Sequence, residues 1–294
     1  MHITLLGTGT PTPSLARMCS GYAVEIGDEV LVFDHGFGAH HRLLEAGIPA
    51  TRVTHFFCSH LHYDHMGDYP RLLLTRWDHG AGSVPELQVY GPPPIKAVTK
   101  ALFESGGAFW PDLVARTEHM CSVSLYHARG GTGERAKPAP VVTEMRPNEV
   151  VEGKGWSVKA VGVAHFGPQL TCYGFRLDTP EGSFVYSGDS GPCASMERLA
   201  AGCDVLVHMC HYLSGTELCE EFAESCMGHK ELAQLAQKAA VKTVVLTHVT
   251  EQIDQPGVRE RVIREMSEIY EGNLIFGEDL MRVPIAGPQA AKLL

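Results

Sequence analysis

The stretch Cys58-Ser59-His60-Leu61-His62-Tyr63-Asp64-His65 limits this chain more than any other, because it puts three imidazoles and a carboxylate into six positions. It follows the apolar run Val53-Thr54-His55-Phe56-Phe57, which reads as a strand. In extended backbone, residues two apart point to one side, so His60 and His62 can grip a single cation. Asp64 and His65, just past the turn, are placed to face a second. Neutral imidazole with carboxylate suits borderline metals, zinc first and then manganese, iron or cobalt.

Along the chain, strands are expected at His2 to Leu6, Tyr22 to Ile26 and Val30 to Phe33, broken by Gly7-Thr8-Gly9-Thr10-Pro11 and Gly27-Asp28. Gly7-x-Gly9 lacks the third glycine and the helix of a dinucleotide fingerprint, so it reads as a turn. Asp34, at the end of the third strand, either orients a metal-binding His or caps a turn. Helices are expected over His40 to Ala46 and Tyr69 to Trp77, and another to about Glu104 after a strand at Leu87 to Tyr90 stopped by Gly91-Pro92-Pro93-Pro94. Between Ser105 and Pro140 the periodicity weakens, and that stretch reads as an insertion forming a lid or a dimer contact. Its Arg129, Arg135 and Lys137 read as a solvated loop, and Glu217, Glu220, Glu221 and Glu224 as an acidic helix face.

Further on, strands are expected at Trp156 to Val163, Thr171 to Leu177, Ser183 to Tyr186, Asp204 to Val207, Thr243 to Thr247 and Leu274 to Phe276. Helices are expected from His229 to Ala240 and from Gly257 to Tyr270. Four well-separated apolar strands thus end close to His60, His165, Asp189 and His248. Strand ends that share a rim are where α/β folds build their sites.

At 294 residues, 44% hydrophobic and 20% charged, the chain has the content of a globular enzyme of one domain. It opens directly on a strand, contains no apolar run of membrane-spanning length, and its nine cysteines form no CxxC pair. Reduced thiols and a cytoplasmic location are the expectation, with no membrane partner. A formal net charge of -10 disfavours nucleic acid as a partner without forbidding it, since bound cations reverse the field locally.

His60-x-His62-x-Asp64-His65, His165, Ser187-Gly188-Asp189 and Leu246-Thr247-His248 together resemble the successive motifs of the metallo-β-lactamase-fold hydrolases. The resemblance runs from Leu5-Leu6-Gly7-Thr8-Gly9 to His248. It implies an α/β fold, a four-layer αββα sandwich, with a dinuclear zinc centre. Carried onto these positions, His60, His62 and His165 would take one Zn2+, Asp64, His65 and His248 the other, and Asp189 would bridge, with Mn2+ or Fe as alternatives. Within that superfamily the opening Leu-Gly-Thr-Gly, Asp34-x-Gly36, Tyr186-Ser187-Gly188-Asp189 and Gly228-His229 look most like the ribonuclease Z and arylsulfatase-like branch. Two departures speak against transfer RNA processing. Ribonuclease Z has a His-Glu-Ala-Thr element where this chain reads His208-Met209-Cys210-His211, and His165 and Asp189 stand too close in sequence to hold its RNA-binding arm.

The chemistry expected is hydrolysis by a water shared between two cations, whose pKa falls from about 15.7 toward about 7. Asp64 would align that water, and His229 or His211 would protonate the leaving group. The substrate expected is a small ester-like molecule: a phosphodiester, sulfate ester, lactone or thioester. The alternatives are a ribonuclease Z-like endonuclease, a hydrolytic aryl dehalogenase and a non-catalytic metal-containing sensor; a homodimer is admissible.

Overall fold

Strands apolar on both faces must be covered on both faces, and that requirement sets the layering of the molecule. The computed structural model describes residues 1–285. Its strands are β1 (His2–Gly7), β2 (Gly21–Ile26), β3 (Glu29–His35), β4 (Val53–Phe57), β5 (Gln88–Gly91), β6 (Val141–Glu144), β7 (Val150–Gly153), β8 (Trp156–Gly162), β9 (Tyr173–Thr179), β10 (Gly182–Tyr186), β11 (Val205–Met209), β12 (Thr243–Thr247), β13 (Asn273–Phe276) and β14 (Arg282–Pro284). The helices are α1 (Ala39–Glu45), α2 (Tyr63–Met66), α3 (Tyr69–Gly80), α4 (Ile95–Phe103), α5 (Trp110–Glu118), α6 (Met120–Ala128), α7 (Ala194–Ala200), α8 (Glu220–Ser225), α9 (His229–Lys238) and α10 (Val258–Ser267).

The strands form two seven-stranded sheets, ordered β14-β1-β2-β3-β4-β5-β6 and β13-β12-β11-β10-β9-β8-β7. Pairing is antiparallel from β14 to β3 and parallel from β3 to β6. The second sheet repeats the scheme, antiparallel from β7 to β10 and parallel from β10 to β13.

Side-chain alternation produces the four layers. Leu31, Phe33 and Phe57 of the first sheet pack between the sheets against Phe175, Phe184, Val207 and Val245 of the second. Phe33 stacks on Phe57 at 5.1 Å and meets Phe184 edge-on at 5.3 Å, which locks one sheet on the other. Their neighbours Val30, Val32 and Phe56 point outward to Leu43, Leu72 and Ile95 on α1, α3 and α4. On the far side Val185, Leu206 and Val244 meet Met196, Leu232 and Val262 on α7, α9 and α10. The αββα sandwich expected from the resemblance is the fold observed.

Residues 105–140 hold two helices, α5 and α6, which contact each other, with α5 also contacting α4. They escaped the sequence reading because each buries little: α6 only Tyr126, and α5 only Leu113, flanked by half-buried Trp110 and Val114. The following loop is largely exposed as expected, but Arg135 in it is buried. The Arg135 guanidinium lies 4.1 Å from the Trp77 ring and bonds Asp78, Arg129 also bonds Asp78, and Lys137 sits over Trp110. One strand boundary also differs: β11 runs to Met209, so His208 lies inside the strand, buried, with Nδ1 donating to the Met209 carbonyl.

Candidate metal centre

His60, His165, Asp189 and His248 all lie within three residues after β4, β8, β10 and β12, and α2 carries Asp64 and His65. The loops meet at one rim, held by a carboxylate from the first sheet. Asp34, fully buried with φ 53°, accepts hydrogen bonds from Ser59 N and Ser59 Oγ at 2.6 Å each and from Tyr186 OH at 2.6 Å. It also accepts from His65 Nδ1 at 2.7 Å, which fixes the tautomer and turns His65 Nε2 toward the cluster. Of the two readings open for Asp34 in the sequence, its contacts match the orienting one. Tyr186 belongs to the second sheet, and Tyr173 N donates to Ser59 O at 2.9 Å, so both sheets buttress the His-rich loop. Gly36 is demanded by closeness: a Cβ there would lie 1.9 Å from the Asp64 carbonyl oxygen.

The structure brings together all seven residues singled out as ligand candidates. One ligand atom from each of His60, His62, His165 and Asp189 lies within 4.8 Å of the others, and Asp64, His65 and His248 form a second such group. Asp189 Oδ2 stands between the groups, 3.3 Å from His248 Nε2, 3.4 Å from His65 Nε2, 3.5 Å from His165 Nε2 and 3.9 Å from His60 Nε2. Asp64 Oδ2 is 3.2 Å from His248 Nε2 and 3.3 Å from His65 Nε2. His60 Nε2 and His62 Nδ1 point at each other across 2.9 Å. The far nitrogens are tied back: His60 Nδ1 to Ser59 Oγ at 2.9 Å and His165 Nδ1 to the Ser225 carbonyl, at the end of α8, at 2.8 Å.

Four atoms at the heart of this cluster, Asp64 Oδ1, His65 Nε2, His165 Nε2 and Asp189 Oδ1, are buried without a hydrogen-bond partner among the described residues. Burying a polar atom unpaired costs about 1–3 kcal/mol, and more when it is charged, so four in one place need a common partner. Imidazole nitrogens and carboxylate oxygens converging without a satisfying donor fit divalent cations. The electrostatics favour a carboxylate at Asp189 and a neutral ring at His60, while against burial Asp189 and Asp34 raise the pKa of His65. Burial raises the pKa of Asp189, but His248 and His65 outweigh it and hold the carboxyl well below its usual range. Burial lowers His60, assisted by the neighbouring His65, leaving a neutral imidazole.

The two general-acid candidates separate. His211 adjoins the cluster, with Nδ1 3.2 Å from His248 Nδ1, and burial, then His248, push its pKa down to about 4. His229 is buried at the start of α9; its Nδ1 accepts from Ser214 N at 3.0 Å and its Nε2 donates to Glu265 at 2.9 Å. Both its nitrogens are thus committed, and none of its hydrogen bonds runs to the cluster. The supporting Ser59, Tyr186 and Ser225 were not anticipated. Ser59, adjoining His60, and Tyr186, in the Tyr186-Ser187-Gly188-Asp189 motif, carried a sequence signal; the carbonyl of Ser225 carries none.

A family model described as the beta-lactamase superfamily domain matches residues 31–249. A protein named Ribonuclease Z from Mycobacterium sp. (strain KMS) is 31% identical, with 97% of this chain and 96% of that protein covered. The crystal structure of the metallo-beta-lactamase fold protein YhfI from Bacillus subtilis superposes with a TM-score of 0.72 at 18% identity, covering 96% of this chain and 99% of that one. Human tRNase Z, short form, superposes with a TM-score of 0.70 at 22% identity, covering 98% of this chain and 100% of that one.

These relatives correct one expectation, that nucleic acid is disfavoured as a partner. The end-to-end match to proteins named Ribonuclease Z outweighs the missing Glu at Met209 and the short span from His165 to Asp189. A net charge summed over the whole surface says little about the field at one rim. The chain belongs to the beta-lactamase superfamily, as a metallo-β-lactamase-fold, metal-dependent hydrolase with ribonuclease Z relatives.

Proposed function

We propose that this protein hydrolyses a phosphodiester bond in RNA, as an endonuclease of the ribonuclease Z type. The observation that carries the reading is the 31% identity to proteins of that name over 97% of the chain, with a cation-ready cluster at its centre. His60, His62 and His165 would hold one divalent cation, Asp64, His65 and His248 the other, and Asp189 would lie between them. Zinc is the first choice for so many imidazoles, with manganese or iron as alternatives. Bound there, divalent cations supply Lewis acidity and lower the pKa of a water from about 15.7 toward about 7.

The remaining work falls to the chain's own atoms. Asp64 Oδ1, free of protein partners among the described residues, accepts a hydrogen bond from the attacking water and aligns it. With Nε2 turned to a cation, His248 would keep its proton on Nδ1 and donate a hydrogen bond to His211 Nδ1, 3.2 Å away. That leaves the His211 proton on Nε2, from which it donates a hydrogen bond to the departing oxygen. His229 positions rather than transfers: through Ser214 it fixes the segment that follows His211. All nine cysteines are free thiols, which supports a reducing compartment, the cytoplasm. No helix among the described residues is long and apolar enough to cross a membrane.

The test offers zinc-loaded protein a precursor transfer RNA, bis-p-nitrophenyl phosphate, an aryl sulfate and a lactone. Endonucleolytic cleavage of the RNA at the 3′ side is expected. Turnover of the small esters with the RNA left intact would return the assignment to a small-ester hydrolase, and full metal occupancy with no turnover at all would favour a sensor.

A further inference from the structure

Phe166 stands out at the rim because neither packing nor backbone preference accounts for it. Its φ is 42°, in the left-handed region that a bulky L-residue avoids. Its side chain is 53% exposed and belongs to none of the core clusters. The ring meets His165 at 4.5 Å and His62 at 5.3 Å, both edge-on, so it borders two of the residues assigned to the first cation. A conformation held against its steric preference at a site, with the side chain pointed at solvent, is the kind of outlier that marks a working residue. Two more exposed rings share the rim: Phe37 and Tyr63, 6.0 Å apart, with Tyr63 between His62 and Asp64 in sequence.

We propose that Phe166 is the stacking platform for the nucleobase next to the scissile phosphodiester, an inference that rests on the RNA reading above. A base has two π-faces whatever its identity, so an exposed phenyl ring offers sequence-tolerant binding that suits an enzyme recognising RNA by shape. Its contact with His62 and His165 places a stacked base one nucleotide from the bond to be broken, and so Phe166 fixes which phosphate enters the cluster. A cationic side chain there would grip the backbone and leave register unset; an aromatic ring sets it.

The test uses the zinc-loaded protein and two RNAs with a non-hydrolysable phosphonate at the cleavage site, one intact and one abasic at the flanking nucleotide, with their cleavable counterparts for kinetics. Phe166→Ala is expected to weaken Kd and raise KM for the intact RNA on the order of tenfold, with kcat and zinc content unchanged. On the abasic RNA it should change neither, and Phe166→Tyr should restore the intact-RNA values. Unchanged affinity in Phe166→Ala, equal weakening on both RNAs, or loss of zinc, which would make Phe166 a mere prop for His165, each overturns the inference while leaving the RNA reading in place. If the unaltered protein neither binds nor cleaves either RNA, the RNA reading falls and the platform with it.

Discussion

Asp34 takes in hydrogen bonds from Ser59 N, Ser59 Oγ, Tyr186 OH and His65 Nδ1 while remaining fully buried. Replacing one of its oxygens with an amide, Asp34→Asn, turns an acceptor into a donor facing donors, and His65 loses the partner that fixes its tautomer. Metal affinity should fall about 10–100-fold, read by competition with a fluorescent chelator; unchanged affinity would show that His65 needs no such support. The two candidate acids give opposite expectations. His211→Ala should keep its cations and lose about 10²-fold or more in kcat. His229→Ala strands the Ser214 amide, and should cost about 1–3 kcal/mol in denaturant unfolding while turnover stays within a few-fold. A reversal of that pattern would exchange their roles. At this scale the sequence spoke clearly where ligand types cluster, as in His60 to His65. It was silent about partners supplied by backbone, such as the Ser225 carbonyl on His165, because any residue can offer a carbonyl.

Among the elements, those that announce themselves are strands buried on both faces, such as β11 and β12, and helices with one apolar stripe, such as α9. The edge strands β6 and β7 alternate exposed with half-buried residues, and so lack the apolar run by which a strand is read. The 105–140 segment was opaque for a related reason: few of its apolar residues, Phe109, Trp110 and Leu113 among them, reach the core, and aromatic and ionic contacts fasten the rest. Arg135 is its clasp, nearly buried, stacked on Trp77 and paired with Asp78, which also holds Arg129 and Arg116. Arg135→Met should therefore lower stability by about 1–3 kcal/mol, softened by the arginines Asp78 retains, and leave metal stoichiometry unaltered, since Arg135 touches none of the ligand residues. A loss of bound metal in that variant would mean that the segment reaches the cluster, as a lid would.

Across the whole molecule, each sheet begins with antiparallel pairings and ends with parallel ones, and the second half repeats the scheme of the first without a visible sequence repeat. The parallel strands of both sheets send their carboxyl ends to one rim, which is why residues as distant in sequence as His60 and His248 meet there. That convergence, foreshadowed by polar residues at strand ends, is the part of the architecture most plainly written in the chain. The substrate was less legible, because a net charge of -10 describes the whole surface and not the rim. Everything proposed about chemistry depends on the seven converging side chains holding two divalent cations. The direct measurement is elemental analysis of protein purified without any chelator: two equivalents of metal per chain, zinc foremost, are predicted, and protein that is fully folded yet free of metal would contradict the account.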